Sequence, residues 1–174
     1  QFYDLGFSFN GVTIYSLYEY NNELYVGGTF GSANGLPWEG IVKYDGQSFS
    51  SVGNGSGFWG SSRQALCMTQ FNGDLIVGGR FDLVNGMTAY NIARWDGSNW
   101  YPMGIGLNYY VRELAVDTIN NYLYAAGSFT GSGSTPMNFV ARWDGTSWTD
   151  IGSPIITFCD AIALYKGNLY AGTD

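Results

Sequence analysis

Short runs of alternating apolar and polar residues recur along the chain, and each run opens the same local pattern again. Thr13–Tyr20 alternates in this way, as do 65–71, 111–116 and 160–165, which predicts strands with one face turned to a core. A pair of turn residues follows each run, at Asn21-Asn22, Asn72-Gly73, Asn120-Asn121 and Lys166-Gly167. Such pairs tolerate the positive φ of a two-residue hairpin, so second strands are predicted at 24–28, 75–79, 123–127 and 169–172. Their leading residues, Leu24, Leu75, Leu123 and Leu169, stand 51, 48 and 46 positions apart. Phe30, Phe81 and Phe129 follow the glycines that close this strand. Small residues beside a large ring predict backbones that approach closely where sheets stack, with the ring filling the space between.

A polar loop leads next to a third strand, an Asp-Gly turn and a fourth strand. The three copies read GIVKYDGQSF (40–49), NIARWDGSNW (91–100) and FVARWDGTSW (139–148), and they end at Gly53, Gly104 and Gly152. Asp45 and Asp96 are 51 residues apart, and Asp96 and Asp144 are 48 apart, so the turn keeps the same register as the leucines. Four antiparallel strands in a unit of this length, with no helical period, predict an all-β protein of β-propeller blades, about 48 residues per blade, in an incomplete ring. The expected divisions are 1–6 as the last strand of a preceding blade, blades at 7–53, 54–104 and 105–152, and the first half of a further blade at 153–174. A β-solenoid is the competing architecture, but its coils are shorter and lack two hairpin turns per repeat. With no leader visible before or after Gln1, the chain reads as a piece of a longer polypeptide whose remaining blades complete the ring.

Composition sharpens this picture. Aromatics at 18% and 26 glycines, against only 12% charged residues, supply large core side chains and tight turns together. The 174 residues contain no apolar run long enough to span a bilayer, so no membrane insertion is expected. A net charge of −7 repels a phosphate backbone, which argues against a nucleic-acid partner. Histidine is absent, which removes the usual acid–base and metal ligand, and no cofactor, metal or catalytic residue is expected. Cys67 and Cys159 are read as two buried, unpaired thiols.

With these residues in view the chain resembles the Trp-Asp-Gly propeller repeats, Kelch- or WD-like, of the loose form ALxxYNGxLYVGGxF followed by IARWDGxxW and a closing LG. Tyr44 and Phe49 replace tryptophans of that pattern. The resemblance implies a large secreted or cell-surface protein, adhesive or gliding-associated as in Bacteroidota and, more distantly, fungal polarity markers. It implies adhesion or scaffolding rather than catalysis, and an extracellular or cell-surface location.

The repeated Asp45, Asp96 and Asp144 are expected to cap their own turns while glycine supplies positive φ. Lys43, Arg94 and Arg142, two residues earlier, are expected in ion pairs or stacked on rings of a neighbouring blade. Trp95, Trp100, Trp143 and Trp148 are expected as wedges between blades. Function then falls to what does not repeat: the loops 31–40, 82–91 and 131–138 and the links 54–63, 105–110 and 153–158, all predicted on one end. There the candidate ligand-binding residues are Trp38, Phe58, Trp59, Asp82, Tyr90, Tyr109 and Tyr110, with Phe158, Glu39 and Arg63 nearby. Aromatics among Gly, Ser and Asn suit stacking on a glycan or anchoring a protein partner. The alternative is a partial or accessory domain of a polysaccharide-acting enzyme, with carboxylates converging in a cleft.

Overall fold

Hairpins close where apolar runs flank residues that accept positive φ. The computed structural model describes residues 13–30, 39–53, 58–60, 62–152, 155 and 157–173. In the first unit β1 (Thr13–Tyr20) turns through Asn21 and Asn22, at φ 52° and 62°, into β2 (Glu23–Thr29), followed by β3 (Ile41–Tyr44) and β4 (Phe49–Ser51). After the two-residue β5 (Phe58–Trp59), the second unit contains β6 (Gln64–Phe71), β7 (Asp74–Arg80), a small hairpin β8 (Leu83–Val84) and β9 (Met87–Thr88), then β10 (Ile92–Trp95) and β11 (Trp100–Pro102). The third repeats this order with β12 (Val111–Asp117), β13 (Tyr122–Gly127), the hairpin β14 (Gly131–Ser132) and β15 (Thr135–Pro136), β16 (Val140–Trp143) and β17 (Trp148–Asp150). A final hairpin pairs β18 (Cys159–Tyr165) with β19 (Asn168–Thr173).

Within each of the first three units the long strands pair antiparallel in chain order, as β1-β2-β3-β4, β6-β7-β10-β11 and β12-β13-β16-β17. A bridge from Thr29 to Gln64 joins the first two into one curled sheet. The first strands β1, β6, β12 and β18 lie side by side in that order. No helix occurs among the described residues, and the fold is all-β.

Alternation along the inner strands of the second and third units buries both faces. On β7, Leu75 and Val77 pack with Tyr20, Tyr25 and Trp95 against the first unit, while Ile76 packs with Leu114, Leu123 and Trp143 against the third. On β13, Leu123 and Ala125 face the second unit and Ala126 meets Cys159 and Ile162 of the fourth. The sheets therefore stack face to face, each covering the next. The tryptophans are the predicted wedges. Trp100 is buried and donates its indole N–H to the Val52 carbonyl of the first unit at 3.3 Å, and Trp148 does the same to Met103 of the second at 3.0 Å. Trp95 donates to the Tyr25 hydroxyl across the first boundary at 3.2 Å.

The Asp-Gly turns also follow expectation. Asp45 Oδ1 accepts from the Gln47 and Ser48 amides, Asp96 Oδ1 from Ser98 and Asn99, and Asp144 Oδ1 from Thr146 and Ser147. Gly46, Gly97 and Gly145 take φ near 100°. These amides hold all three carboxyls below the usual range. Both cysteines are buried and unpaired.

The ion pairs expected of the recurring cations are present, Arg94 with Asp74 and Lys43 with Glu23. Arg94 also lies over Tyr101 at 4.2 Å and Arg142 over Tyr122 at 4.3 Å, rings on adjacent strands of their own sheet rather than of a neighbouring one. Three further expectations need correction. Gly27 and Gly78 do mark close sheet stacking, against Ala65 and Val111, but Gly28, Gly79 and Gly127 are small for another reason. A β-bulge at the start of β1, β6 and β12 drives a carbonyl of the paired strand onto them. The third turn is not a two-residue hairpin: Asp117 and Tyr122 pair across four residues, and the Asp117 carboxylate organises that loop by accepting from the Ile119 and Asn120 amides. Lastly, the polar loops at 82–91 and 131–138 each carry a small hairpin that the sequence reading did not include, the first through Asn85-Gly86 at φ 52° and 78°.

A methyl at Gly79 would overlap the Gln64 carbonyl oxygen. Gly79→Ala is therefore expected to lower unfolding free energy by about 1–3 kcal/mol in a denaturant titration. Because the Asp-Gly carboxyls are depressed relative to the unfolded chain, their contribution is present above about pH 4 and lost as pH falls through the folded values. Asp144→Ala should shrink this acid-side loss in melts recorded from pH 6 downward.

Candidate functional site

The link from the second unit to the third, residues 105–110, is stitched into the loops on both sides of it. Gly106 bridges to Tyr90, and the Leu107 amide donates to the Tyr90 carbonyl at 2.9 Å. A side chain at Gly106 would overlap the Tyr90 backbone, and its φ of 81° favours glycine. Asn91 is the buried polar residue that fixes this junction. Its Nδ2 donates to the Leu107 carbonyl at 2.6 Å and its Oδ1 accepts from the Phe81 amide at 3.2 Å. On the other side, the Asn108 amide donates to the Gly131 carbonyl, while Asn108 Oδ1 accepts from the Thr130 and Gly131 amides.

A depression of about 220 Å³ results, lined by Tyr90, Ile105, Gly106, Leu107, Asn108 and Gly133. Beside it runs a stack of alternating cations and rings. Arg80 lies 5.4 Å from the Tyr109 ring centre and 4.7 Å from that of Tyr110, and donates to the Tyr110 hydroxyl. Arg112 lies 5.4 Å from both Tyr110 and Phe158, donates to Ser128, and pairs with Asp160 at 3.2 Å. Tyr109 meets Tyr110 edge to face at 4.7 Å. Cations over ring faces in this way stiffen the side chains while leaving ring edges open. No carboxylate pairs with Arg80 among the described residues.

Three of the candidate residues are thus brought to one place: Tyr90, 42% exposed, Tyr109, 45% exposed, and half-buried Tyr110. Phe58 is withdrawn from the candidates. It is fully buried, stacked on Phe81 at 4.2 Å and edge-on to Trp100 at 5.4 Å, because β5 pairs with β8 and turns that ring into the core. Asp82 opens the adjoining loop, with its carbonyl accepting from Ala89 and its carboxyl against Gly60, where it has its own partner. Glu39 and Arg63 pair with each other. Trp38 and the side chain of Trp59 lie outside the described residues. Arg80 and Arg112 were not among the candidates from sequence because they lie on strands β7 and β12, outside the loops and links, although the other units have Thr29 and Ser128, or Leu66, at the matching positions.

Among the described residues no three Cys, Asp or Glu side chains gather as a metal site would require, and no helix is long and apolar enough to cross a membrane. No protein-family model matches the chain, and a search of curated proteins returns no match.

Proposed function

We propose that the chain is a β-propeller segment of a secreted or cell-surface protein, binding a glycan or a protein partner through its loop-rich end. The regular succession of sheets stacked face to face, with β1, β6, β12 and β18 side by side, supports the propeller reading. Loops and links converge at one end of this stack, as the pairing of β5 with β8 and the bonds of Leu107 and Asn108 indicate. The observation that carries the binding reading is the pair of exposed rings, Tyr90 and Tyr109, beside a depression and next to the Arg80 guanidinium, which has no carboxylate partner among the described residues. Exposed rings on a braced backbone offer flat apolar area at low entropic cost, as glycan and protein anchors do. Among the described residues at this end, Glu39 pairs with Arg63 through Oε1 and Asp160 pairs with Arg112.

Glycan-array and pull-down screens with the intact chain test the reading. Tyr90→Ala and Tyr109→Ala are expected to weaken the captured ligand by roughly tenfold or more each, with melting temperature nearly unchanged. Undiminished binding in both variants would place recognition elsewhere.

A further inference from the structure

The boundary between the second and third sheets repeats the boundary between the first and second position by position, with substitutions that change the volume enclosed. Tyr20, Glu23, Tyr25, Lys43, Val52 and Trp95 at the first boundary correspond to Phe71, Asp74, Ile76, Arg94, Met103 and Trp143 at the second. At the first, the Tyr25 phenol is 1% exposed, lies edge-on to Tyr20 at 5.7 Å and accepts the Trp95 indole N–H at 3.2 Å. Tyr20 donates its own hydroxyl to the Gly73 carbonyl at 3.0 Å. At the second boundary, isoleucine in place of Tyr25 removes a phenol ring, and phenylalanine in place of Tyr20 removes a hydroxyl.

A cleft of about 180 Å³ opens where those groups are missing, walled by Phe71, Ile76, Met103 and Trp143, with Asp74 and Arg94 at its rim. It reaches the surface beside Asn72 and Gly145, which are exposed, at the turn end of the sheets and away from the loops described above. Trp143 holds the pose of Trp95: the indole pairs Trp95–Trp100 and Trp143–Trp148 both have centres 5.2 Å apart, at 47° and 46°. At the first boundary the Trp95 N–H meets the Tyr25 oxygen, and Trp143 is its counterpart here. The side chain is nine-tenths buried, at 8% exposure, yet no acceptor receives that N–H among the described residues. A phenol oxygen placed as it is at the first boundary would accept that N–H.

We propose that this cleft is a binding site for a phenol ring, held between Phe71, Ile76 and Met103, with its hydroxyl oxygen accepting the Trp143 indole N–H. The first boundary shows the fit from within, since Tyr25 places the same ring and oxygen there. The volume is close to that of an engineered apolar cavity of about 150 Å³ that takes up benzene. The rim charges neutralise each other through the Arg94–Asp74 ion pair, so the ring enters in its neutral form. Burial pushes the Tyr25 phenol up to about 12, in keeping with a neutral phenol in this setting. The site rests on the internal repeat alone and is independent of the loop-end reading.

The test is an NMR titration of the intact chain with p-cresol, toluene and N-acetyl-tyrosine amide, following the indole N–H signal missing from a Trp143→Phe variant. Saturable movement of that signal is expected with p-cresol, bound about fivefold more tightly than toluene because of one hydrogen bond. Ile76→Tyr supplies the ring internally and should abolish binding, while Trp143→Phe should make p-cresol and toluene equal. Binding of the tyrosine amide as well would extend the proposal to peptide-borne phenols, and binding of p-cresol alone would assign it to free ones. The proposal fails if p-cresol leaves the Trp143 signal unmoved, if toluene binds equally well to the unaltered chain, or if folded Ile76→Tyr binds p-cresol undiminished.

Discussion

An indole N–H reaching across to a backbone carbonyl of the preceding sheet ties the sheets of this chain together, from Trp100 to Val52 and from Trp148 to Met103. The rest of the structure depends on it. Third and fourth strands of only three or four residues cannot hold a sheet by ladder bonds alone. They persist because each sheet is covered on both faces, and sheets about 10 Å apart require large side chains between them. Tryptophan fills that distance and brings a donor that a buried carbonyl satisfies. Stability in such an arrangement is a sum of sheet and nearest-neighbour terms, so a disturbance at one boundary is felt chiefly there.

That constraint also separates what repeats from what varies. The turn aspartates, the bulges against Gly28, Gly79 and Gly127, and the tryptophan pairs recur because each unit needs them to stack. Arg80 and Ile76 are departures that stacking does not ask for. Arg80 stands where the first unit has Thr29, and it organises Tyr109 and Tyr110 at the loop end. Ile76 stands where the first unit has Tyr25, and it leaves the cleft beside Trp143. Both lie on β7, Arg80 at its end and Ile76 in its buried middle.

Most of the strand plan was legible in the chain because alternation and turn chemistry are local signals. The hairpin at Lys166-Gly167 and the Asp96 turn lie where Asn, Asp and Gly place them. The small hairpin through Asn85-Gly86 carried the same signal, but its strands are two residues long and too short to show alternation. Asp117 escaped notice because its role as an organising carboxylate depends on the longer third turn, which Asn120-Asn121 disguise. Phe58 looked like a loop aromatic because its burial depends on pairing between β5 and β8, some 25 residues apart at Phe58 and Val84. The Arg80 stack and the Trp143 cleft join residues of different units, and only the sheet stacking brings those together.

The indole N–H groups offer the most direct measurement of this account. Native-state hydrogen exchange, read on the indole signals of the intact chain, separates bonded from unbonded tryptophans. Strong protection is expected for Trp95, Trp100 and Trp148, whose N–H groups are bonded across sheet boundaries, with clearly faster exchange for Trp143. Fast exchange at Trp100 and Trp148, or protection of Trp143 equal to theirs, would contradict the packing on which the structure is here said to depend.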